Sequence, residues 1–199
     1  MAISAERLCS ARHSDTIPIM AVCGIDEAGR GPLAGPVTAA AVILPEDFPL
    51  ERVRDSKKLS PERREEARAF ICTRATAWGI GWAWHFEIDA LNIHHASLLA
   101  MSRAFTVMRG LGLEHPGELY AARGGLAPGV APDRALVDGR HTPQLSVPAE
   151  PVVHGDATVP EIEAASILAK TARDAWMVDY AEIEPQYRFE RHKGYPTPE

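Results

Sequence analysis

Two observations in the sequence predict an α/β domain. Short apolar runs of strand length, at residues 20–25, 37–44 and 135–137, alternate with stretches whose apolar residues recur every three or four positions. Three predicted strands lead into a carboxylate: Asp26 with Glu27, Asp138, and Asp156. In sheets of mixed α/β proteins, strand ends and the loops after them are where sites are built.

The centre of this pattern is CGIDEAGRGPLAGP, residues 23–36. An apolar run delivers Asp26 and Glu27, a loop with Gly29, Gly31 and Gly35 follows, and a second apolar run begins at Val37. The expected structure is strand, tight loop, strand. Acids at a buried strand end are costly without a neutralising cation, which points to a metal. The alternative is a turn that merely tolerates acids and glycines.

Residues 1–18 show no clean period and are expected to form a frayed arm, with residues 19–199 a single domain. A formal charge of −6 means that any nucleic-acid binding must rest on a local basic surface. Cys9, Cys23 and Cys72 share no metal-type spacing and are expected to be free thiols in a reducing compartment. No apolar run is long enough for a membrane span, and residues 1–15 lack the apolar core of a signal peptide, so a cytoplasmic protein is expected.

Along the rest of the chain, Ser60-Pro61-Glu62 has the form of an N-cap, a proline at the first helical position and an acidic first turn. Ala67, Phe70, Ile71, Ala75 and Trp78 continue that helix at core spacing, with Arg63, Arg64, Glu65 and Glu66 on the wet side. Ile80, Trp82, Trp84 and Phe86 alternate as in a strand, the tryptophans as core. A helix is expected from Ile88, with Ile93, Ala96, Ala100, Ala104 and Val107 along one face. Its adjacent His94 and His95 point about 100° apart and so cannot chelate one ion together. Residues 110–133, rich in Gly, Pro and Ala, predict a long surface loop. A third strand over residues 151–155 leads to Asp156, and a long helix spans about 160–182, with Ile162, Ala165, Ala169 and Trp176 buried.

If the three acid-bearing strands are neighbours, four carboxylates converge on one rim. That number of hard oxygen ligands suits two divalent ions ~3.5–4 Å apart, Mg2+ or Mn2+ rather than zinc, and in-line displacement at phosphorus. Otherwise only one or two of the acids meet, and the rest cap turns or helices.

Six stretches, in order, carry a family resemblance: DEAGRGPLAGPV, DSKKLS, LNIHHASLLAM, LVDG, GDATVPEIEAASILAKTARD and HKGYPT. Together they span most of residues 22–197, and the chain resembles bacterial ribonuclease HII. The resemblance implies a ribonuclease H-like fold, a central mixed β-sheet flanked by helices on both faces. It implies a metal-dependent endonuclease acting on the RNA strand of RNA/DNA hybrids and on single ribonucleotides in duplex DNA. Cleavage would fall 5′ to the ribonucleotide and leave a 5′-phosphate and a 3′-hydroxyl. A monomer is implied as well.

Carried over position by position, the metal-binding and catalytic acids are Asp26, Glu27, Asp138 and Asp156. Gly29-Arg30-Gly31 corresponds to the loop that reads the 2′-hydroxyl through backbone groups, where close approach leaves no room for a side chain. Tyr195 corresponds to the tyrosine that packs on the sugar at the junction. Ser56, Lys57 and Lys193 are substrate-binding candidates, with Lys58 and Arg191 as further phosphate contacts. Asp174, beside Lys170 and Arg173, is expected in a structural ion pair, while Lys170 either supports the site or pairs locally.

Four features depart from the family pattern. Arg188 stands where glycine is usual, His154 where lysine is common, and residues 110–133 look long for the family. The sequence also stops at Glu199, where family members continue through another helix and a basic tail. The competing readings are a ribonuclease HIII, a junction resolvase and a non-catalytic hybrid-binding protein. A ribonuclease HIII normally carries an N-terminal substrate-binding domain for which the arm before Met20 is too short. A resolvase has no need of a ribose-reading pair, and a pure binder gains nothing from four acids near phosphate.

Overall fold

The structure, a computed structural model, describes residues 21–52, 60–110 and 132–197. Five strands form one sheet among them: β1 (Ala21–Ala28), β2 (Val37–Ile43), β3 (Ala77–Ala83), β4 (Pro132–Asp138) and β5 (Ala149–Val152). Their order is β3-β2-β1-β4-β5. β1 and β2 pair antiparallel, as do β2 and β3, whereas β1, β4 and β5 run parallel. The sheet is therefore mixed, and the three acid-bearing segments lie side by side.

Helices cover both faces, as the resemblance implied. One core cluster joins Val37, Ala39, Ala41 and Ile43 of β2 to α3 (Ile93–Met108). The other joins Ala40 and Val42 to α1 (Pro61–Arg74) and α4 (Pro160–Ile183). β2 is buried on both sides, which is why its sequence is a continuous apolar run without alternation. Side chains such as Ile25, Ile71, Ile162 and Leu168 are essentially inaccessible, each worth roughly 1.5–3 kcal/mol of burial.

Small residues decide how closely the layers meet. A Cβ on Gly81 would lie 2.2 Å from the Ala100 carbonyl oxygen, and one on Gly79 2.3 Å from the Met108 nitrogen. α1 ends at Arg74, so Trp78, expected on that helix, lies in β3, whose opposite face carries Trp78, Ile80 and Trp82 toward α1 and α4. α4 likewise starts on Gly24 of β1, where a Cβ would lie 2.3 Å from the Ile162 nitrogen.

The strand predicted through Phe86 ends earlier. β3 stops at Ala83, and Phe86 belongs to α2 (His85–Leu91). Glu87 reverses the chain there: its carboxylate accepts from the Trp84 N–H at 2.9 Å and from both ends of the Arg103 guanidinium at 2.8 Å. The tryptophans are core as expected, Trp82 and Trp84 stacking at 5.7 Å. The single helix expected from Ile88 is two, broken at Asn92. That residue has φ 70°, and its Oδ1 accepts from the His94 and His95 N–H groups to cap α3. The helix 160–182 is confirmed nearly to the residue.

Two acids sit differently from expectation. β1 does not end at Asp26 but continues through Ala28, because Asp26 and Glu27 still pair with Ala40 and Ala39 of β2. Only the pairing with β4 stops, at Ile25 opposite Val137. Asp156 does not end a strand either. β5 closes at Val152, His154 takes a left-handed φ of 57°, and Asp156 lies in the 3-10 turn Gly155–Ala157. The frayed-arm region, most of the 110–133 loop, Cys9 and the DSKKL stretch with Ser56, Lys57 and Lys58 lie outside the described residues. Cys23 and Cys72 are free thiols. No helix among the described residues is long and apolar enough to cross a membrane.

Candidate active site

Asp26 is 5% exposed, at the point where β4 ends beside it. Its Oδ1 accepts the Glu27 N–H at 2.7 Å, and the Ser166 hydroxyl of α4 bonds to the same carboxyl. Burial, followed by the charges of Glu27 and Asp138, holds the Asp26 carboxyl well above the usual carboxylate range. Burial also raises Glu27, opposed by Arg30, whose guanidinium donates to Glu27 Oε1 at 3.2 Å. Glu27 Oε2 is buried and has no hydrogen-bond partner among the described residues. Asp138 ends β4, and its Oδ1 accepts the Asp156 N–H at 3.3 Å. The structure thus brings Asp26, Glu27 and Asp138 close enough for their charges to interact, with the backbone of Asp156 beside Asp138.

As they stand, no three His, Cys, Asp or Glu side chains among the described residues close on one point that would hold an ion. The donor set still fits a hard divalent cation. It consists of carboxylate oxygens, one of them orphaned, in a place where burial and the neighbouring carboxylates hold two acids above their usual range. His94 packs edge-on to His95 at 5.1 Å and to His141 at 4.8 Å, and these rings do not close on one point either.

Beside the acids lies a cleft of about 410 Å³, lined by Glu27, Gly29, Arg30, Arg64, Ser166, Lys170 and Tyr195 among others. Gly29 has φ +108°, and a Cβ there would lie 2.5 Å from the Arg173 Nε, so only glycine fits. A Cβ on Gly31 would meet the Tyr195 ring at 3.4 Å. The glycine loop and the tyrosine, some 160 positions apart in sequence, therefore form one wall of the cleft. Lys170 stands 5.5 Å over the Tyr195 ring and pairs with Asp174 at 2.8 Å, so Asp174 is in the structural pair expected of it. The Lys193 Nζ turns back to the Glu190 carbonyl, and Arg191 pairs with Glu190 at 3.7 Å.

Sequence reasoning passed over Ser166 and Arg64 and treated Arg173 only as a neighbour of Asp174. Ser166, Lys170 and Arg173 stand at i, i+4 and i+7, a polar stripe within an alanine-rich helix. α4 runs alongside β1 from Gly24. The ~18 Å covered by twelve helical residues nearly matches the ~17 Å covered by five strand residues. That match sets Ser166 against Asp26 and Arg173 against Gly29. Arg64, placed on the wet side from sequence, is half-buried and lines the cleft.

Comparison with known proteins places the chain in a family. The family model for ribonuclease HII matches residues 23–199. The chain belongs to the ribonuclease HII family. It is accordingly an endonuclease of the ribonuclease H type. The ribonuclease HII of Laribacter hongkongensis (strain HLHK9) is 52% identical over 178 residues, 88% of this chain and 80% of that protein. The crystal structure of ribonuclease H2 from Pyrococcus horikoshii OT3 superposes with a TM-score of 0.67 at 23% identity, over 90% of this chain and 82% of that one. A structure of Bst ribonuclease HIII in complex with Mn2+ gives a TM-score of 0.65 at 15% identity, over 92% of this chain and 61% of that one. At such identities the two structures speak for a shared ribonuclease H-like fold.

Proposed function

We propose that this chain cuts the RNA strand of RNA/DNA hybrids and nicks duplex DNA on the 5′ side of a single embedded ribonucleotide. The products would carry a 5′-phosphate and a 3′-hydroxyl. The observation that carries this reading is the crowding of Asp26, Glu27 and Asp138, with Asp156 hydrogen-bonded alongside, next to a cleft walled by Gly29-Arg30-Gly31 and Tyr195.

Asp26, Glu27, Asp138 and Asp156 would hold two divalent ions, Mg2+ or Mn2+. When bound, such ions activate the attacking water and take up charge on the leaving oxygen. The Mn2+ complex of the Bst ribonuclease HIII supports a divalent ion in this fold. The chain's own part is to hold and orient. Ser166 fixes the Asp26 carboxyl, and the Asp156 N–H fixes that of Asp138. Arg30 neutralises one oxygen of Glu27 and leaves the other free for a cation.

Recognition would rest on the cleft wall. The backbone of residues 29–31 can approach a 2′-hydroxyl closely, and that hydroxyl alone distinguishes the ribonucleotide from DNA. Tyr195 would pack on the sugar, with Lys170 holding its ring. Arg64, Lys170, Lys193, Ser56 and Lys57 would take phosphates, which position the duplex without reading its sequence.

The test is a cleavage assay on duplex DNA carrying one ribonucleotide and on a long hybrid, with Mg2+, with Mn2+ and with chelator. A metal-dependent nick 5′ to the ribonucleotide is expected. Cleavage of long hybrids alone would remove the ribose-reading role of Tyr195. Binding without any cleavage would favour a non-catalytic hybrid binder.

A further inference from the structure

Arg173 has no assigned part in the chemistry, yet it is among the largest fully buried side chains, at 1% exposure. Burying a guanidinium is costly unless its donors are satisfied. Here each nitrogen finds a main-chain carbonyl: Nε donates to Pro36 O, NH1 to Lys193 O and NH2 to Ala34 O, all at 2.9 Å. Two of these acceptors lie in the loop after β1 and the third in the loop before Tyr195. Arg173 itself sits in the middle of the 24-residue α4.

The two loops are in direct contact as well. The Leu33 N–H donates to the Gly194 carbonyl at 2.9 Å. The Gly29 Cα rests against the Arg173 side chain so closely that no Cβ fits between them. One planar fork therefore ties the segment bearing Gly29-Arg30-Gly31 to the segment bearing Tyr195, and ties both to the helix that carries Ser166. Lysine cannot replace it, because an ammonium on a flexible stem does not present three donors in fixed directions.

We propose that Arg173 is a positioning residue for ribose recognition, setting the Gly29–Gly31 backbone and the Tyr195 ring at the spacing that admits a 2′-hydroxyl. This rests on the function proposed above. Arg173 touches neither substrate nor ion and acts only through the two loops.

The test compares the full chain with Arg173→Lys and Arg173→Gln, at temperatures where circular dichroism shows each folded. Steady-state kinetics on a one-ribonucleotide duplex give kcat and KM, and the all-DNA duplex as competitor gives Ki. Misplacing a recognition group by about 1 Å can cost on the order of 10²-fold, so kcat should fall at least about tenfold in both variants. The ratio of Ki to KM should collapse, with Ki for the all-DNA duplex within about twofold of wild type, since phosphate contacts are untouched. A ratio of Ki to KM that stays at the wild-type value, in a folded variant, overturns the proposal.

Amide hydrogen exchange without substrate separates this inference from the proposed function. In Arg173→Lys, the Leu33 amide should exchange at least about tenfold faster, while the Cys23 and Ile25 amides in β1 stay protected. If wild type cuts neither the one-ribonucleotide duplex nor a long hybrid, the function reading fails, and the exchange result alone then decides whether Arg173 fixes the loops. Unchanged Leu33 exchange overturns the positioning role.

Discussion

Gly194 and Ala34 meet backbone to backbone: a Cβ at position 194 would stand 2.4 Å from the Ala34 carbonyl oxygen. Gly194 also has φ +85°, in the region that disfavours any other side chain. The join between the glycine loop and the tyrosine loop thus depends on a missing methyl group. Gly194→Ala should cost about 1–3 kcal/mol of stability and separate the two loops. Thermal unfolding should show the loss, and cleavage at a single ribonucleotide should fall further than the folded fraction does.

Asp26 carries the opposite trade. Its carboxyl is raised by burial, by Glu27 and by Asp138, so the folded state holds its proton more tightly than the unfolded chain. The stabilisation linked to that proton is complete below the unfolded pKa and is lost as pH rises through the folded one. Metal-free protein should therefore be more stable at mildly acidic pH than at alkaline pH, and a divalent ion should flatten the profile. Denaturant midpoints across pH, with and without Mg2+, check both statements.

Asp26→Asn removes that crowded charge while keeping an acceptor for the Glu27 N–H. The metal-free variant should unfold at a higher temperature than wild type at neutral pH. If Asp26 holds an ion as proposed, the substitution should remove several kcal/mol of transition-state stabilisation, roughly 10²–10³-fold in rate. Calorimetry and a cleavage assay on one preparation test the pair. A variant both less stable and inactive would count against the crowding argument.

Tyr195 contributes a ring that a side chain at position 31 would touch and that lies under Lys170. Tyr195→Ala should remove about 1–3 kcal/mol of packing on the substrate, roughly 5–150-fold in kcat/KM at a single ribonucleotide. Tyr195→Phe keeps the ring and should lose less. Measuring both on single-ribonucleotide and long-hybrid substrates separates ring packing from the hydroxyl.

The Arg103–Glu87 pair tests stability away from the acids. The two side chains are only 17% and 14% exposed, and together they cap the α2 turn and the end of β3. Breaking such a pair from one side typically costs about 3–5 kcal/mol. Glu87→Ala should lower the urea midpoint accordingly, with kcat unchanged in the fraction that stays folded.

Much of this molecule was determined by local sequence. Ser60-Pro61, the alanine spacing of α3 and the 24-residue α4 follow from capping and period, which act within a few residues. The four acids were legible because a carboxylate beside an apolar run is conspicuous in any chain. Where the sequence misled, a distant partner had decided. β3 turns into a helix at Trp84 because Glu87 meets Arg103, and β1 runs past Asp26 because β2 is there to pair with it. Asp156 reaches the site from a 3-10 turn rather than a strand, through a left-handed His154 that nothing nearby in the sequence announces.

Tertiary structure alone decided which face each helical side chain presents to the sheet. Arg173 and Asp174 are adjacent in sequence, yet one is buried against three carbonyls and the other pairs with Lys170 at the cleft. Residues one position apart on a helix diverge by about 100°, so only the packing of α4 on Gly24 sets which of them reaches the loops. The sequence by itself determined the acids and the elements that carry them. Their approach to one another, the join of Leu33 to Gly194 between the two loops and the Arg173 clamp are long-range contacts, fixed only once the sheet order and the seat of α4 on β1 are fixed.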